Sequence, residues 1–357
     1  MKILIAPDSF KNCLSSQKIC EIFRKNCIND VITCPMADGG EGTVNTLVNA
    51  TNGRYITKRV HGPNYNKVYA TYGILGDKKT AVIEVASCAG IALVKKRNPF
   101  YTTTYGLGEL ILDALDKGIR DFIIGLGGSC TNDAGIGMLR ALGIKMYSTD
   151  KTEIIHAKDI CKICEIDRTH FDERIKESNF LIASDVTNPF TGINGASFVF
   201  GPQKGATKSM VKKLDDNFKH FEKILGRNLE FKGAGAAGGL GACFVVFFDA
   251  NLEKGIDIVN RICKLEEKIQ DADIVITGEG RSDSQTKFGK TPYGILCLAK
   301  KYNKPVYLFS GRIIDSEELL DLGFDKLVEI SPKDVTMSYA IRNTKRFLIE
   351  AIKRIGI

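Results

Sequence analysis

Two hydrophobic rhythms divide the chain. At its start, short apolar runs alternate with stretches of helical period. "KILIAPD" reads as a buried strand, and Ser15 or Ser16 is placed to cap a helix running to about Asn29. "DVITCPM" is a second strand, and "TVNTLVNAT" a second helix closed by Gly53. This β-α-β-α order is that of a parallel sheet. From residue 54 to residue 94 the texture changes to "RYITKRVHG", "KVYATYGIL" and "KTAVIEVA", rich in Tyr, Thr, Val and Ile and joined by short turns, which predicts an antiparallel meander. A helix over about 106–117, the strand "DFIIGL", a polar stretch over 150–180, the strand "NFLIASDVTNP" and the amphipathic helix "GATKSMVKKLDDNFKHFEKIL" follow.

From Asp271 the first rhythm returns, with "ADIVITGEG", "KPVYLFSG" and "DKLVEIS" as strands between helical segments. A last helix over about 334–355 sets Ile341, Leu348, Ile352 and Ile355 on one stripe, with Lys353 and Arg354 in its final turns. Similar texture at both ends around a different middle predicts an α/β protein of two domains. Residues 1–58 and 270–357 would form a Rossmann- or flavodoxin-like parallel-sheet domain, and 59–269 a mixed α/β domain inserted into it. A length of 357 residues agrees with two domains.

Composition narrows the function classes. Hydrophobic residues are 44% and charged residues 26%, ordinary for a globular chain. The net charge of +8 is spread out, with only short clusters at Lys95, Lys96 and Arg97 and at Lys345 and Arg346, so no nucleic-acid arm is marked. No run approaches ~18 apolar residues, and no secretory signal layout follows Met1. The eleven cysteines are odd in number and sit mostly in apolar stretches, as reduced thiols of a cytoplasmic protein would. Cys161 and Cys164 form a CxxC with no second pair to complete a zinc site, and Cys13, Cys20 and Cys27 share one helical face as core fillers. His61, His156, His170 and His220 show no triad or metal spacing.

The chemistry-bearing stretches lie at strand ends. "GLGGSCTNDAGIG", residues 125–137, follows a strand and opens a helix, the setting in which backbone N–H groups meet an anion. Aligned peptides add roughly half a positive charge there. Ser129 and Thr131 are placed to bond phosphate oxygens, and Asp133 to hold magnesium; a tight turn with Asn/Asp capping is the plainer reading. The loop is similar to the GLGSS-type loop of the GHMP kinases, but that group's N-terminal pattern is missing here. "SQTKFGKT" imitates a Walker loop, yet Ser284 stands where the first Gly belongs. Acids recur after strands: Asp8, Asp38 with Glu41, Asp185, and Glu279 with Asp283. In open parallel sheets ligands gather beyond the strands' carboxyl ends. Such acids can place magnesium or a hydroxyl, leaving Lys11, Arg281 or Lys290 for anionic groups. "KGAGAAGGLGA", from Lys232, reads equally as a flexible linker or as a place of close backbone approach.

Six stretches in order, "MKILIAPDSFKNCLSS", "PMADGGEGT", "GLGGSCTNDAGIGML", the region from "SDVTNPFTGINGAS" to "VFGPQKGA", "GAGAAGGLGA" and "ITGEGRSDSQTKFGKTP", resemble the type-1 bacterial glycerate kinases. The resemblance implies transfer of the γ-phosphoryl group of ATP to D-glycerate, with magnesium, mostly giving 2-phosphoglycerate. It also implies two α/β domains, one inserted in the other. Carried onto matching positions, it gives Asp8, Lys11, Asp185, Arg281 and Lys290 catalytic roles. Gly127, Gly128, Ser129, Thr131 and Asn132 would take the nucleotide. Ser9, Asp38, Glu41, Asn188 and Glu279 would take the substrate, and Asp133 and Asp283 the metal. Lys11 or Arg281 would hold the glycerate carboxylate, Asp133, Asp185 or Asp283 the magnesium, and Asp8 or Asp185 the attacking hydroxyl. Asn12, Cys130 and Ala134 stand where that family usually has Gly, Ala and Gly. A nucleotide- or glycerate-sensing protein without activity, and a kinase of another small hydroxy acid, are the alternatives. The expected partners are ATP and D-glycerate, with no nucleic acid and no membrane; a homodimer is left open.

Overall fold

The computed structural model describes residues 1–11, 13–287 and 291–357. It divides into two compact units, Met1–Asp38 with Asn45–Ala50 and Ile256–Ile357, and Gly39–Val44 with Thr51–Gly255.

The first unit is built on five parallel strands in the order Lys326–Glu329, Val306–Ile313, Ile274–Ser282, Lys2–Ile5 and Asp30–Thr33. Continuous apolar runs such as Ile3, Leu4 and Ile5 make these strands because both faces are covered. Helix Ser16–Asn26 starts where Ser15 Oγ accepts from Lys18 N, and helix Met337–Ile355 where Thr336 caps Tyr339 N. They share a core in which Phe23 meets Phe309 edge-on at 5.2 Å. In the last helix the buried face runs through Thr344, Phe347, Leu348, Ala351 and Ile352; Ile341, expected on that stripe, is exposed, because the helix starts at Met337 and its first turn projects past the core. Chain order reverses between Lys2–Ile5 and Ile274–Ser282, and it is beyond the carboxyl ends of such strands that open parallel sheets take their ligands. Asp8 follows one of these strands and Glu279 lies late in the other.

The second unit carries a six-stranded mixed sheet: Asn251–Glu253, Asn179–Ala183, Asp121–Gly125, Thr80–Glu84, Lys67–Ile74 and Arg54–His61. The last three form the antiparallel meander and the others run parallel. Arg54–His61 pairs along its whole length with Lys67–Ile74. The expected boundary at 58 therefore cuts a strand that belongs entirely to this sheet, and at the other end helices Gly255–Ile262 and Leu265–Asp271 fall mainly to the first unit rather than beginning it at 270. The polar stretch over 150–180 holds a small antiparallel pair with Lys145–Tyr147, and single 3-10 turns. Phe122 stacks on Phe180 at 4.7 Å, and Phe190 on Phe218 at 4.6 Å. Tyr72, buried on the sheet, donates from Oη to Asp113 at 2.8 Å, and Lys58 and Lys117 neutralise that carboxylate. No helix among the described residues is long and apolar enough to cross a membrane.

"GAGAAGGLGA" is a place of close approach, not a linker. It enters helix Ala236–Phe248 through three left-handed residues, Ala237, Gly238 and Gly239. Gly238 O accepts from Ala134 N at 3.0 Å, and a Cβ at Gly238 would lie 2.2 Å from Thr131 O. Gly238→Ala is therefore expected to cost about 2–4 kcal/mol, from strain at φ +72 plus the clash. Gly226→Ala, at a helix end with open space around it, should cost only about 1 kcal/mol. Denaturant midpoints of the two variants check the ordering; equal midpoints would remove the close approach as a constraint.

Candidate active site

In the second unit two glycine-rich loops meet backbone to backbone. Strand Asp121–Gly125 delivers the loop beginning at Leu126, and residues 39–42 lie against it. A Cβ at Gly125 would stand 2.5 Å from Gly39 O, and one at Gly127 would stand 2.7 Å from Gly40 Cα. Neither contact is open to any residue with a side chain. Glu84, at the end of the neighbouring strand, fixes the 39–44 loop by accepting from Gly42 N at 3.1 Å and Val44 N at 2.8 Å. Burial pushes its carboxyl up to about 7, with Glu41 adding to the rise and the two amides opposing it.

The loop's far half is turned inward. Asp133 is 1% exposed and accepts from Thr104 N and Oγ1, both at 2.9 Å, from Gly135 N at 3.2 Å and from Gly137 N at 3.3 Å. Burial raises its carboxyl pKa while these donors lower it. The helix that follows is only Ile136–Ala141, and its first amides are already used: Ala134 N goes to Gly238 O, Ile136 N to Asp133 O and Met138 N to Thr104 Oγ1. Asp133 thus occupies the place expected for a bound anion and braces the turn. It does not present an oxygen to a metal. Thr131 and Asn132, expected at the nucleotide, are also fully buried; Asn132 Nδ2 donates to Ser197 Oγ at 2.9 Å. What remains open to a ligand is the near half, half-buried Gly127, exposed Gly128 and the edge of Ser129. Behind it lies Lys204, within the stretch "VFGPQKGA" but given no role from the sequence, whose Nζ donates to Ser129 Oγ at 3.2 Å and to Thr131 O at 2.7 Å.

The same unit carries Glu41, exposed, and Asp185 just past strand Asn179–Ala183. Asp185 is exposed, and its Oδ1 accepts from Gly255 N at 3.1 Å. Asn188 is half-buried and donates to Asn194 O at 2.8 Å, so it shapes its own turn.

In the first unit, Asp8 lies beyond the carboxyl end of strand Lys2–Ile5. Its Oδ1 accepts from Ser9 N at 2.6 Å and its Oδ2 from Thr291 Oγ1 at 3.0 Å. Burial lifts the Asp8 carboxyl to about 6, Asp38 adds to the rise, and Ser9, Thr291 and Lys11 oppose it. Asp8, Ser9, Lys11 and Asp38 are thus brought together as expected partners. Glu279 Oε1 accepts from Ser282 Oγ at 3.1 Å and Thr286 Oγ1 at 3.0 Å. Arg281 is exposed and pairs with half-buried Asp283 at 3.3 Å. Ser284–Lys287 forms a single 3-10 turn, and Lys290 lies outside the described residues. Thr291 ends the quoted "SQTKFGKT" but was given no role from the sequence; its bond to Asp8 is what brings it into the site.

Comparison with known proteins places this arrangement. The profile of the Glycerate kinase family matches residues 3–357. A glycerate kinase of Bacillus subtilis (strain 168) is 46% identical, over 98% of this chain and 95% of its own. A glycerate 2-kinase of Escherichia coli (strain K12) is 42% identical, over 100% and 97%. The crystal structure of a proposed glycerate kinase 2 from Salmonella typhimurium LT2 superposes with a TM-score of 0.86 at 40% identity, covering 100% of this chain and 97% of that one. From end to end, the chain belongs to the glycerate kinase family.

Proposed function

We propose that the protein is a cytoplasmic, ATP-dependent glycerate kinase that moves the γ-phosphoryl group of ATP to the 2-hydroxyl of D-glycerate. The whole-length family match carries this reading, and the chemistry of Asp8 supports it. A free Asp carboxylate is a weak base; one whose pKa is lifted to about 6 is still ionised at neutral pH yet takes a proton far more readily. Its two oxygens are held by Ser9 and Thr291, so it meets a hydroxyl at a set angle. The charge of Lys11 acts on this carboxylate, and Lys11 is assigned the glycerate carboxylate. Gly127, Gly128 and Ser129 are assigned the phosphate oxygens, because this near half of the loop is the part left open, with Gly127 half-buried and Gly128 exposed. The free thiols fit a reducing compartment.

Magnesium needs exposed carboxylate oxygens and keeps several waters. Asp133 does not fit, since it is buried and its oxygens are engaged. Asp185, exposed, and Asp283, half-buried, do fit. When bound, magnesium neutralises charge on the transferring phosphoryl group. The residues then have positioning as their main work, and phosphoryl transfer gains most from positioning and charge neutralisation.

Coupled assay of ADP release should show turnover with D-glycerate well above that with glycolate, tartronate or hydroxypyruvate. Phosphorus NMR of the product should show the 2-phosphate, and a 3-phosphate would reverse the assignment of the hydroxyl. Asp185→Asn should lower turnover at least ~100-fold, or ~2.7 kcal/mol; near-normal turnover removes Asp185 from the reaction. Asp8→Asn should separate activity from stability. The native state holds the Asp8 proton up to about pH 6, whereas the unfolded chain releases it near the ordinary Asp value of 3.8. Stability is therefore lost as pH rises between these values, and the full cost stands above pH 6. Asp8→Asn removes that cost, so at pH 7.5 it should unfold about 1–3 kcal/mol later than the wild type. The gap should close as pH falls to 4, while turnover is lost at every pH. A variant less stable than the wild type at pH 7.5 contradicts the burial cost.

A further inference from the structure

Lys204 ends the short turn Pro202–Lys204, and the chain then leaves through left-handed Gly205. Its side chain is 2% exposed, yet no carboxylate among the described residues forms an ion pair with its ammonium. The charged and titratable groups around it are Asp133, whose oxygens are committed to Thr104, Gly135 and Gly137, the Cys130 thiol, and Arg97, whose guanidinium donates to Gln203 O at 3.0 Å. A buried cation without a counter-ion is costly, and a fold keeps one where it serves a ligand or a specific geometry. The same loop holds two further incomplete groups: Thr131 Oγ1 and Asn132 Oδ1 are buried without a hydrogen-bond partner.

An ammonium has donors only. Ser129 Oγ must therefore accept from Lys204 Nζ, which leaves the Ser129 hydroxyl proton for another acceptor, and Gly128 beside it is exposed. The helix terminus that would ordinarily attract an anion is taken up by Asp133, so the positive charge at this loop has another source. We propose that Lys204 is the positioning residue of the phosphate loop: it fixes Ser129 as a donor to an anionic phosphate oxygen of the nucleotide and supplies the charge behind it. This rests on the loop 125–137 being the nucleotide-phosphate site. Burial pulls the Lys204 pKa down to about 8, with Cys130 and Asp133 resisting, so the ammonium is present below that pH and fades above it.

The test uses the full chain. Lys204→Met keeps the length of the side chain and removes the charge. It should raise KM for ATP at least ~10-fold with KM for D-glycerate changed less than ~2-fold. The wild-type fall of kcat/KM for ATP above pH 8 should be missing in this variant. Ser129→Ala should weaken ATP in the same way, and the double variant should be no worse than Lys204→Met alone, because one acts through the other. A folded Lys204→Met with wild-type KM for ATP overturns the proposal, and so does a rise confined to KM for glycerate. If Lys204→Met does not fold, calorimetric binding of ADP decides between pH 7.5 and 9.5. The wild type should lose affinity across that range and Ser129→Ala should be flatter; a flat wild type overturns the role of Lys204. Absence of glycerate-dependent ADP release from the wild type would instead sink the kinase reading, and the ADP titration would still test Lys204.

Discussion

Backbone against backbone, with no side chain between, is the constraint on which the second unit's loops depend. Gly39 and Gly40 lie against Gly125 and Gly127, and Gly238 lies against Thr131. At these contacts the Cβ of any other residue would fall inside an occupied atom. Two consequences follow. The loops are held by hydrogen bonds as well as by the apolar packing of residues such as Leu126 and Leu240, and Glu84 and Asp133 both accept from amides. And the open face that remains, Gly127 to Ser129, is bare peptide, the surface a polyphosphate can approach most closely.

That arrangement also explains why a carboxylate in a glycine-rich loop is ambiguous. Seen as a string, Asp133 has the neighbours of a magnesium ligand and equally those of a turn brace. Only burial distinguishes them, and burial is set by Thr104 and the 233–241 segment, about thirty and a hundred residues away in the chain. The strands, the meander and the Ser15 cap were legible because hydrophobic period and capping are local properties. Acids after strands were legible for the same reason, since the topology rule needs only the strand and its exit. Lys204, Thr291 and Glu84 were not. A lone lysine in a polar turn, a threonine at a helix start and a glutamate ending a strand carry no spacing signal, and their meaning lies in contacts across 75, 283 and 40 positions. The "GAGAAGGLGA" run was half legible: the glycines announced either freedom or crowding, and the sequence offered nothing to choose between them.

Ala134 shows where this chain departs from its own rule. It holds φ 50, a conformation costly for a residue with a side chain, next to left-handed Gly135. Behind it Gly239 must stay bare whichever residue stands at 134, since a Cβ there would stand 2.9 Å from Ala134 Cα and 2.8 Å from the Phe190 ring. The strained residue is held by its own backbone, Ala134 N donating to Gly238 O at 3.0 Å.

Burial acts on Asp8 and on Lys204 in the same sense, favouring the uncharged form of each, but their charges are opposite and so the results diverge. Asp8 is a carboxylate only above about pH 6 and Lys204 an ammonium only below about pH 8. On the roles proposed above, a hydroxyl would need the first ionised before it can be oriented, and a phosphate oxygen the second charged before Ser129 is set as a donor. Both conditions would hold together only in the interval between, so desolvation, which works against stability at each residue taken alone, would confine activity to neutral pH from both sides. A more exposed Asp8 would be ionised but a weak base, and a more exposed Lys204 would be charged but screened by water.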